Sequence, residues 1–275
     1  MSGIDRVEYY RTIKNGYMAP HRAQYHKRRF DTFCSLLPQR QGMSIFDFGC
    51  GSGELAELLT GDGHVVEGSD LSPEMVELAR GKMPQCSFAV GGVYDMPASG
   101  SWDVVGALNV LPYLSEPEEA AFFRNAVGML KPHGAIIFSH TNMLTDLVTF
   151  NRYTVEFWRD QIIPHVTDDA AQRAELLAAF TNHLAAPDMP PRSAARKSER
   201  DLLAKRRINP ITYGASLEQY GLRVEDVAFT HYYPMPPQWM EANHPDLIIA
   251  FEDRFKRSDL SWVFASILVM RAVRS

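Results

Sequence analysis

Ser44-Ile-Phe-Asp-Phe-Gly-Cys-Gly-Ser-Gly-Glu-Leu55 is the stretch that decides the fold. Ile45, Phe46 and Phe48 form a short apolar run, and glycines then follow at alternate positions, Gly49, Gly51 and Gly53. From Glu54 to Leu59 the residues favour helix. Strand, glycine turn and helix in that order open a nucleotide-binding α/β domain. Glycine is required where the backbone must turn sharply and approach a ligand with no Cβ between. Two details narrow the ligand. The spacing is G-x-G-x-G rather than the dinucleotide G-x-G-x-x-G, and Asp47 sets a carboxylate just ahead of the first glycine, within reach of an amine.

This stretch resembles the first motif of class I S-adenosylmethionine-dependent methyltransferases, and the resemblance continues along the chain. Val65 to Met75 is similar to the family's second strand, with Asp70 at its acidic end, 23 residues after Asp47. A carboxylate there caps the neighbouring strand and can accept both ribose hydroxyls. Ser101-Trp-Asp-Val-Val105 resembles the start of the fourth strand, and Leu130 to Phe138 the turn into the fifth. The similarity runs over residues 43–142 and, more weakly, 209–275. It implies a Rossmann-like α/β fold: a seven-stranded, mostly parallel sheet with helices on both faces, the last strand antiparallel. It also implies S-adenosyl-L-methionine as cofactor.

Composition sets the outer bounds. The 275 residues suffice for one large α/β domain, or for a core domain with a sizeable insertion. Twenty-eight basic against 33 acidic residues give a net charge of −5, where a general nucleic-acid binder would carry a basic excess. No apolar run approaches a bilayer span, and the N-terminus lacks the apolar core of a signal peptide, so a cytoplasmic location is expected. Cys34, Cys50 and Cys86 have no paired spacing, which speaks for a reducing compartment and against a disulfide frame or a metal site.

The chain reads as an N-terminal helical cap (1–42), a cofactor-binding core (43–142 and 209–275) and a helical insertion (143–208) acting as a substrate lid. Within the core, strands are expected at 44–48, 64–69, 87–90, 103–108, 134–140, 222–230 and 261–271. Helices are expected between them, at 54–60, 73–81, 116–130 and from Pro210 to Tyr220, with Gly221 as a C-terminal stop. In the insertion, helical segments at 144–162 and 168–185 precede a break at Pro187, Pro190 and Pro191 and a charged helix from Ser193 to Arg207. About 65 residues is too long for an idle loop, and such insertions often form lids.

Ligands of an open parallel sheet bind beyond the carboxyl ends of its strands. That rule, with the resemblance, gives cofactor contacts from Asp47, Gly49, Cys50, Gly51, Gly53, Asp70, Leu71, Met75, Asn109 and Val110. The family's acidic third motif reads Gly91-Gly92-Val93 here, so Gly92, Val93 and Tyr94 are assigned to the adenine end. Tyr17, Asn142, Tyr232, Tyr233 and Trp239 are the acceptor-side candidates. An oxygen or nitrogen acceptor has a proton to lose, and histidine takes protons near neutral pH. A Leu-His-His common after the fourth strand of relatives appears as Leu111-Pro112-Tyr113, which turns attention to His140 and His231 as bases, or to a phenol such as Tyr113 or Tyr232. The expected activity is transfer of methyl to oxygen or nitrogen, in preference to carbon, of a small biosynthetic molecule by a monomer or homodimer, with no metal, nucleic acid or membrane involved. A non-catalytic cofactor-binding relative and a dinucleotide-dependent oxidoreductase are the competing readings.

Overall fold

The computed structural model describes residues 20–97, 99–149, 152–184, 206–233, 245–255 and 259–275. Its central sheet follows from side-chain alternation. In β1 (Ser44–Phe48), Ile45 enters one apolar cluster while Phe46 and Phe48 enter another on the opposite face. β5 (Leu130–Asn142) repeats this with Ile137 against Ile136 and Phe138, and β8 (Ala265–Arg274) with Val269 against Leu268 and Met270. Strands with both faces apolar must be covered on both sides.

Helices supply the cover. Phe33 and Leu36, at and just beyond α1 (Pro20–Ser35), pack on one face with Leu55 and Leu59 of α2 (Glu54–Gly61) and Val76 and Ala79 of α3 (Pro73–Lys82). Phe122, Phe123, Ala126 and Met129 of α4 (Glu116–Met129) and Leu217 of α8 (Pro210–Leu217) cover the other. The helix starts are written locally. The Ser72 hydroxyl accepts from the Met75 N–H ahead of α3, Ser115 and Glu118 close a capping box on α4, and the Asn209 carboxamide oxygen accepts from Ile211 N–H at 3.1 Å to start α8.

The sheet order is β3-β2-β1-β4-β5-β8-β7, with β2 (Val65–Asp70), β3 (Ser87–Val90), β4 (Trp102–Ala107) and β7 (Leu222–Tyr232) completing the path. β1 through β5 pair in parallel, and β8 runs antiparallel to β5, from Ala135↔Val273 to Thr141↔Ile267. The fold class read from the sequence therefore stands, with an addition: β6 (Arg207–Ile208) pairs with β5 as an eighth strand. Arg207 thus lies in a strand, not at the end of a charged helix, because its backbone completes the hydrogen bonding beside β5; Ser193 to Lys205 lie outside the described residues.

The last strand also needs correction. It starts at Ala265, four residues later than expected, because Ser261–Phe264 forms the helical turn α10. There the Phe264 ring packs against Phe251 and Phe255, and the Ser261 hydroxyl donates to Phe255 O at 2.7 Å. Tertiary packing overrides the strand preference of Trp262 and Val263.

The chain divides into two compact units: Met1–Thr141 with Leu203–Thr230 and Ile267–Ser275, and Asn142–Leu202 with His231–Ser266. The second unit holds short helices, α5 (Asp146–Thr149) and α6 (Arg152–Phe157), then a π-turn at Trp158–Ile162 and α7 (Ala170–Leu184). Trp158 stacks on Phe180 at 4.6 Å, and α9 (Pro245–Phe255) carries the Phe251–Phe255 pair. The helical segment expected around 144–162 is observed, with its last turn, Trp158–Ile162, wound as a π-turn.

Candidate cofactor site

Where β1, β2, β3 and β4 end, the first unit opens a cavity lined by Phe48, Gly49, Gly51, Asp70, Leu71, Met75, Gly91, Gly92, Val93, Tyr94, Asp95, Leu108, Asn109, Val110, Tyr113, Leu114 and Glu118. The chain order of strands reverses here: β1 is flanked by β2 and β4. That is the switch point at which open α/β sheets bind ligands.

Backbone strain shapes the loop. Gly49 has φ +79°, and a Cβ there would stand 2.2 Å from Val110 Cγ2, so only glycine fits between β1 and the β4 loop. Gly49 and Cys50 N–H both donate to Ser69 O, at 2.7 and 3.0 Å, tying the turn to β2. Gly51 N–H then donates to Asp70 Oδ2 at 2.9 Å, while Asp70 Oδ1 accepts from Ser72 N–H at 2.9 Å. Both oxygens of Asp70 are thereby oriented by main chain at the cavity wall, and each keeps a lone pair for a hydroxyl donor. Burial pushes the Asp70 carboxyl upward, against those backbone hydrogen bonds.

Asp47 is the electrostatic centre of the loop. It is 2% exposed, and its carboxylate has no hydrogen-bond donor or cation among the described residues. Burial first, then the Asp70 and Glu54 charges, push it up to about 7. A buried acid set beside two other acids is satisfied by a cation, and the described residues supply none. Among the described residues, no Lys, Arg or His lines the cavity, and its ionisable carboxylates are Asp70, Asp95 and Glu118. A pyrophosphate would meet repulsion here, which counts against the dinucleotide reading. A ligand with an ammonium group and a ribose diol fits.

Asn109 sits at the end of β4 with φ +60°, a left-handed conformation that a side chain seldom adopts without enforcement. Its N–H donates to Ser139 Oγ at 2.7 Å, and its side chain reaches the cavity lining. At the third strand, the carboxylate of Asp95 accepts Gly92 N–H at 2.8 Å, so it holds the loop that has lost its own acidic side chain.

Ten sequence-derived cofactor contacts come together here: Gly49, Gly51, Asp70, Leu71, Met75, Gly92, Val93, Tyr94, Asn109 and Val110, joined by Tyr113 from the acceptor side. Asp47, Cys50 and Gly53 stand behind the lining. Cys50 packs in the apolar cluster under α2, where burial pushes its thiol far up. Gly53, at φ +85°, caps α2. Leu108, expected on the rim with Asn109 and Val110, also lines the cavity, whereas Phe48, Gly91, Leu114 and Glu118 were missed; of these only Glu118 carried a signal, the capping box Ser115-x-x-Glu118.

The histidines fall elsewhere. His140 does not line the cavity. It is fully buried, with Nδ1 accepting Thr141 N–H at 2.9 Å and Nε2 facing Glu119 Oε2 at 3.5 Å. Burial pulls its pKa down, against the raising effect of Glu119. His140 was placed on the rim because β5 was expected to end there, whereas the strand runs on to Asn142. His231 belongs to the second unit, is 1% exposed, and has φ +60°. Asn142 spends both amide N–H groups on Trp262 O and Ala265 O, and its oxygen accepts Leu144 N–H, so it holds a turn. Tyr232 is buried with its hydroxyl on Ser261 Oγ at 2.9 Å, and Tyr233 is buried beside it in the chain. Tyr17 and Trp239 lie outside the described residues.

A parallel sheet with a glycine loop, the buried Asp47 and the part-buried Asp70 at its switch point defines a Rossmann-like domain with a cavity suited to a nucleoside ligand. Residues 45–134 match the model of the methyltransferase domain family. The class I S-adenosylmethionine-dependent methyltransferase motifs read from the sequence overlap that match, so the chain is similar to that superfamily over about a third of its length, and the cavity suits S-adenosylmethionine as cofactor. It is 34% identical over 107 residues to a ubiquinone biosynthesis O-methyltransferase of Xanthomonas campestris pv. campestris, covering 37% of this chain and 44% of that protein. To the protein of the same name from Xanthomonas axonopodis pv. citri it is 29% identical over 199 residues, covering 70% and 68%. The chain thus matches less than half the length of the first of these relatives. It shares the fold of a solved S-adenosylmethionine-dependent methyltransferase from Mesorhizobium loti, with a TM-score of 0.54 at 19% identity, over 89% of this chain and 96% of that one.

Proposed function

We propose that the protein transfers a methyl group from S-adenosylmethionine to a hydroxyl oxygen of a small-molecule acceptor. The observation that carries this reading is Asp47, a buried carboxylate with no cation beside it among the described residues, next to an Asp70 already aimed by two backbone N–H groups. The relatives named as O-methyltransferases support oxygen over nitrogen or carbon. Bound, the cofactor supplies an electrophilic methyl group on a sulfonium. Asp47 balances positive charge, Asp70 receives the ribose hydroxyls, and the Gly49–Gly51 backbone leaves room for close approach. Alignment then supplies much of the rate, and the wall bearing Asn109 and Tyr113 is where the acceptor hydroxyl is held.

Of the sequence-derived proton acceptors, Tyr113 is the one that lines the cavity. Methyl transfer to hydroxylated small molecules, followed with labelled S-adenosylmethionine, tests the activity. Tyr113→Phe should lower turnover by roughly 10²-fold while cofactor affinity stays within a few-fold. His231→Ala serves as the rival arm: if it alone abolishes turnover, the histidine assignment stands and Tyr113 loses the role.

The inserted segment 143–208 is proposed as a lid. Amide exchange within it should slow on cofactor binding, and identical exchange with and without cofactor ends that assignment. Among the described residues, no helix is long and apolar enough to cross a membrane. A cytoplasmic monomer or homodimer that does not act on nucleic acid is part of the same proposal.

A further inference from the structure

Behind the cavity wall lies a second set of ionisable groups that the methyl-transfer reading does not use. Glu119 of α4 is buried. Its Oε1 accepts from Tyr213 Oη at 2.6 Å, its Oε2 accepts from Arg206 Nη1 at 2.5 Å, and His140 Nε2 stands 3.5 Å from Oε2. Since His140 Nδ1 accepts the Thr141 N–H, the neutral ring carries its proton on Nε2, directed at Glu119. Four elements, α4, β5, α8 and the lead into β6, converge on this one carboxylate.

Arg206 connects the knot to the cavity. Its main-chain N–H donates to Pro112 O at 2.7 Å, and its guanidinium reaches Leu114 O at 3.5 Å while bonding Glu119. Pro112 and Leu114 bracket Tyr113, whose side chain lines the cavity together with Leu114. The turn also carries the hydrogen bonds Tyr113 N–H to Val110 O at 2.9 Å and Leu114 N–H to Leu111 O at 3.1 Å. Arg206 braces from behind the segment that presents Tyr113.

We infer that Arg206, seated on Glu119, is a positioning residue that fixes the Pro112–Leu114 wall of the cofactor cavity. This rests on the cavity being the cofactor site. Arginine suits the place because Nη1, its two N–H donors fixed in the guanidinium plane, serves the carboxylate and the carbonyl at once, which a lysine ammonium on a flexible stem does less well. Burial would raise the Glu119 carboxyl, yet the nearby His140 ring, the Tyr213 hydrogen bond and the Arg206 charge hold it below its ordinary value, so the brace stays charged at neutral pH.

The test uses the full chain and S-adenosylhomocysteine as probe, with calorimetric titration and amide exchange measured together. In Arg206→Lys, affinity should fall about 10-fold and the Tyr113 and Leu114 amides should exchange about 10-fold faster, because a packed neighbour is lost without loss of charge. Tyr213→Phe, which removes one hydrogen bond to Glu119 and no charge, should show a smaller change in the same direction. Asp103→Asn, at the far end of the sheet, is the control: it should lower the melting temperature and leave affinity within two-fold. Affinity and exchange at Tyr113 and Leu114 unchanged in both Arg206→Lys and Tyr213→Phe, while the wild type binds, would overturn the inference. So would an equal affinity loss in the Asp103 control, which would mark a general effect of destabilisation. Failure of the wild type to bind the probe would instead remove the cofactor assignment itself.

Discussion

Two buried aspartates on neighbouring strands have opposite fates. Asp47, near the carboxyl end of β1, is surrounded by other acids, and its pKa rises to about 7. Asp103, at the amino end of β4, is surrounded by donors. Its Oδ2 accepts from Ser44 N–H at 2.8 Å, Ser44 Oγ at 2.9 Å and Lys131 Nζ at 2.9 Å, and Arg40 pairs with Oδ1. Burial would raise Asp103, yet those bonds and charges hold it at about 2. One end of the sheet spends its acid on stability; the other withholds partners so that a ligand must bring them. An acid left unsatisfied in the folded chain marks the place where binding energy is to be gained.

Exchanging the charge at each end gives the sharpest break of this contrast. Asp47→Asn should weaken S-adenosylmethionine by about 2–5 kcal/mol, since the bound cation loses its counter-charge. The same variant should melt higher than wild type without cofactor. A carboxyl with a raised folded-state pKa favours the native state below the unfolded value and loses that contribution as pH climbs toward 7. The gain in melting temperature should accordingly be absent at pH 4 and largest above pH 7. Asp103→Asn should do the reverse, costing roughly 1–3 kcal/mol of stability at neutral pH with cofactor affinity unchanged. Its contribution is present above the ordinary carboxylate range and is lost as pH falls toward 2. Thermal scans and calorimetry over pH 4–9 read both; two variants that behave alike would end the comparison.

Asp70→Ala should have a smaller effect on affinity than Asp47→Asn, roughly 1–3 kcal/mol, because it removes hydroxyl contacts and not the sole counter-charge. The loop will loosen as well, since Gly51 N–H and Ser72 N–H lose their acceptor. An Asp70 variant that binds as weakly as the Asp47 variant would place the cofactor's charge at the second strand instead of the first.

Much of this was legible in the linear chain. Apolar alternation gave β1 to β5 within a few residues, and Ser72, Ser115, Asn209 and Gly221 marked helix ends by local hydrogen bonding or by left-handed backbone. The expected site residues that the structure brings to one cavity are local to strand ends: Gly49, Gly51, Asp70, Gly92 and Asn109 among them. The readings that failed depended on distance. Whether His140 faces a cavity or a carboxylate is set by how far β5 extends and by what α4 and α8 bring to it, and no neighbour of His140 in sequence carries that information.

The sequence by itself determined the parallel core, the order of its crossovers and the chemistry of its carboxyl edge, because periodicity, caps and glycines act over a few residues. Only the tertiary structure decided that Asp47 has no donor among the described residues while Asp103 has four. It alone gathered Glu119, His140, Arg206 and Tyr213, spread over 95 residues of chain, onto one carboxylate. Electrostatic environment depends on distance in space and on exclusion of water, and both come into being only when the layers close.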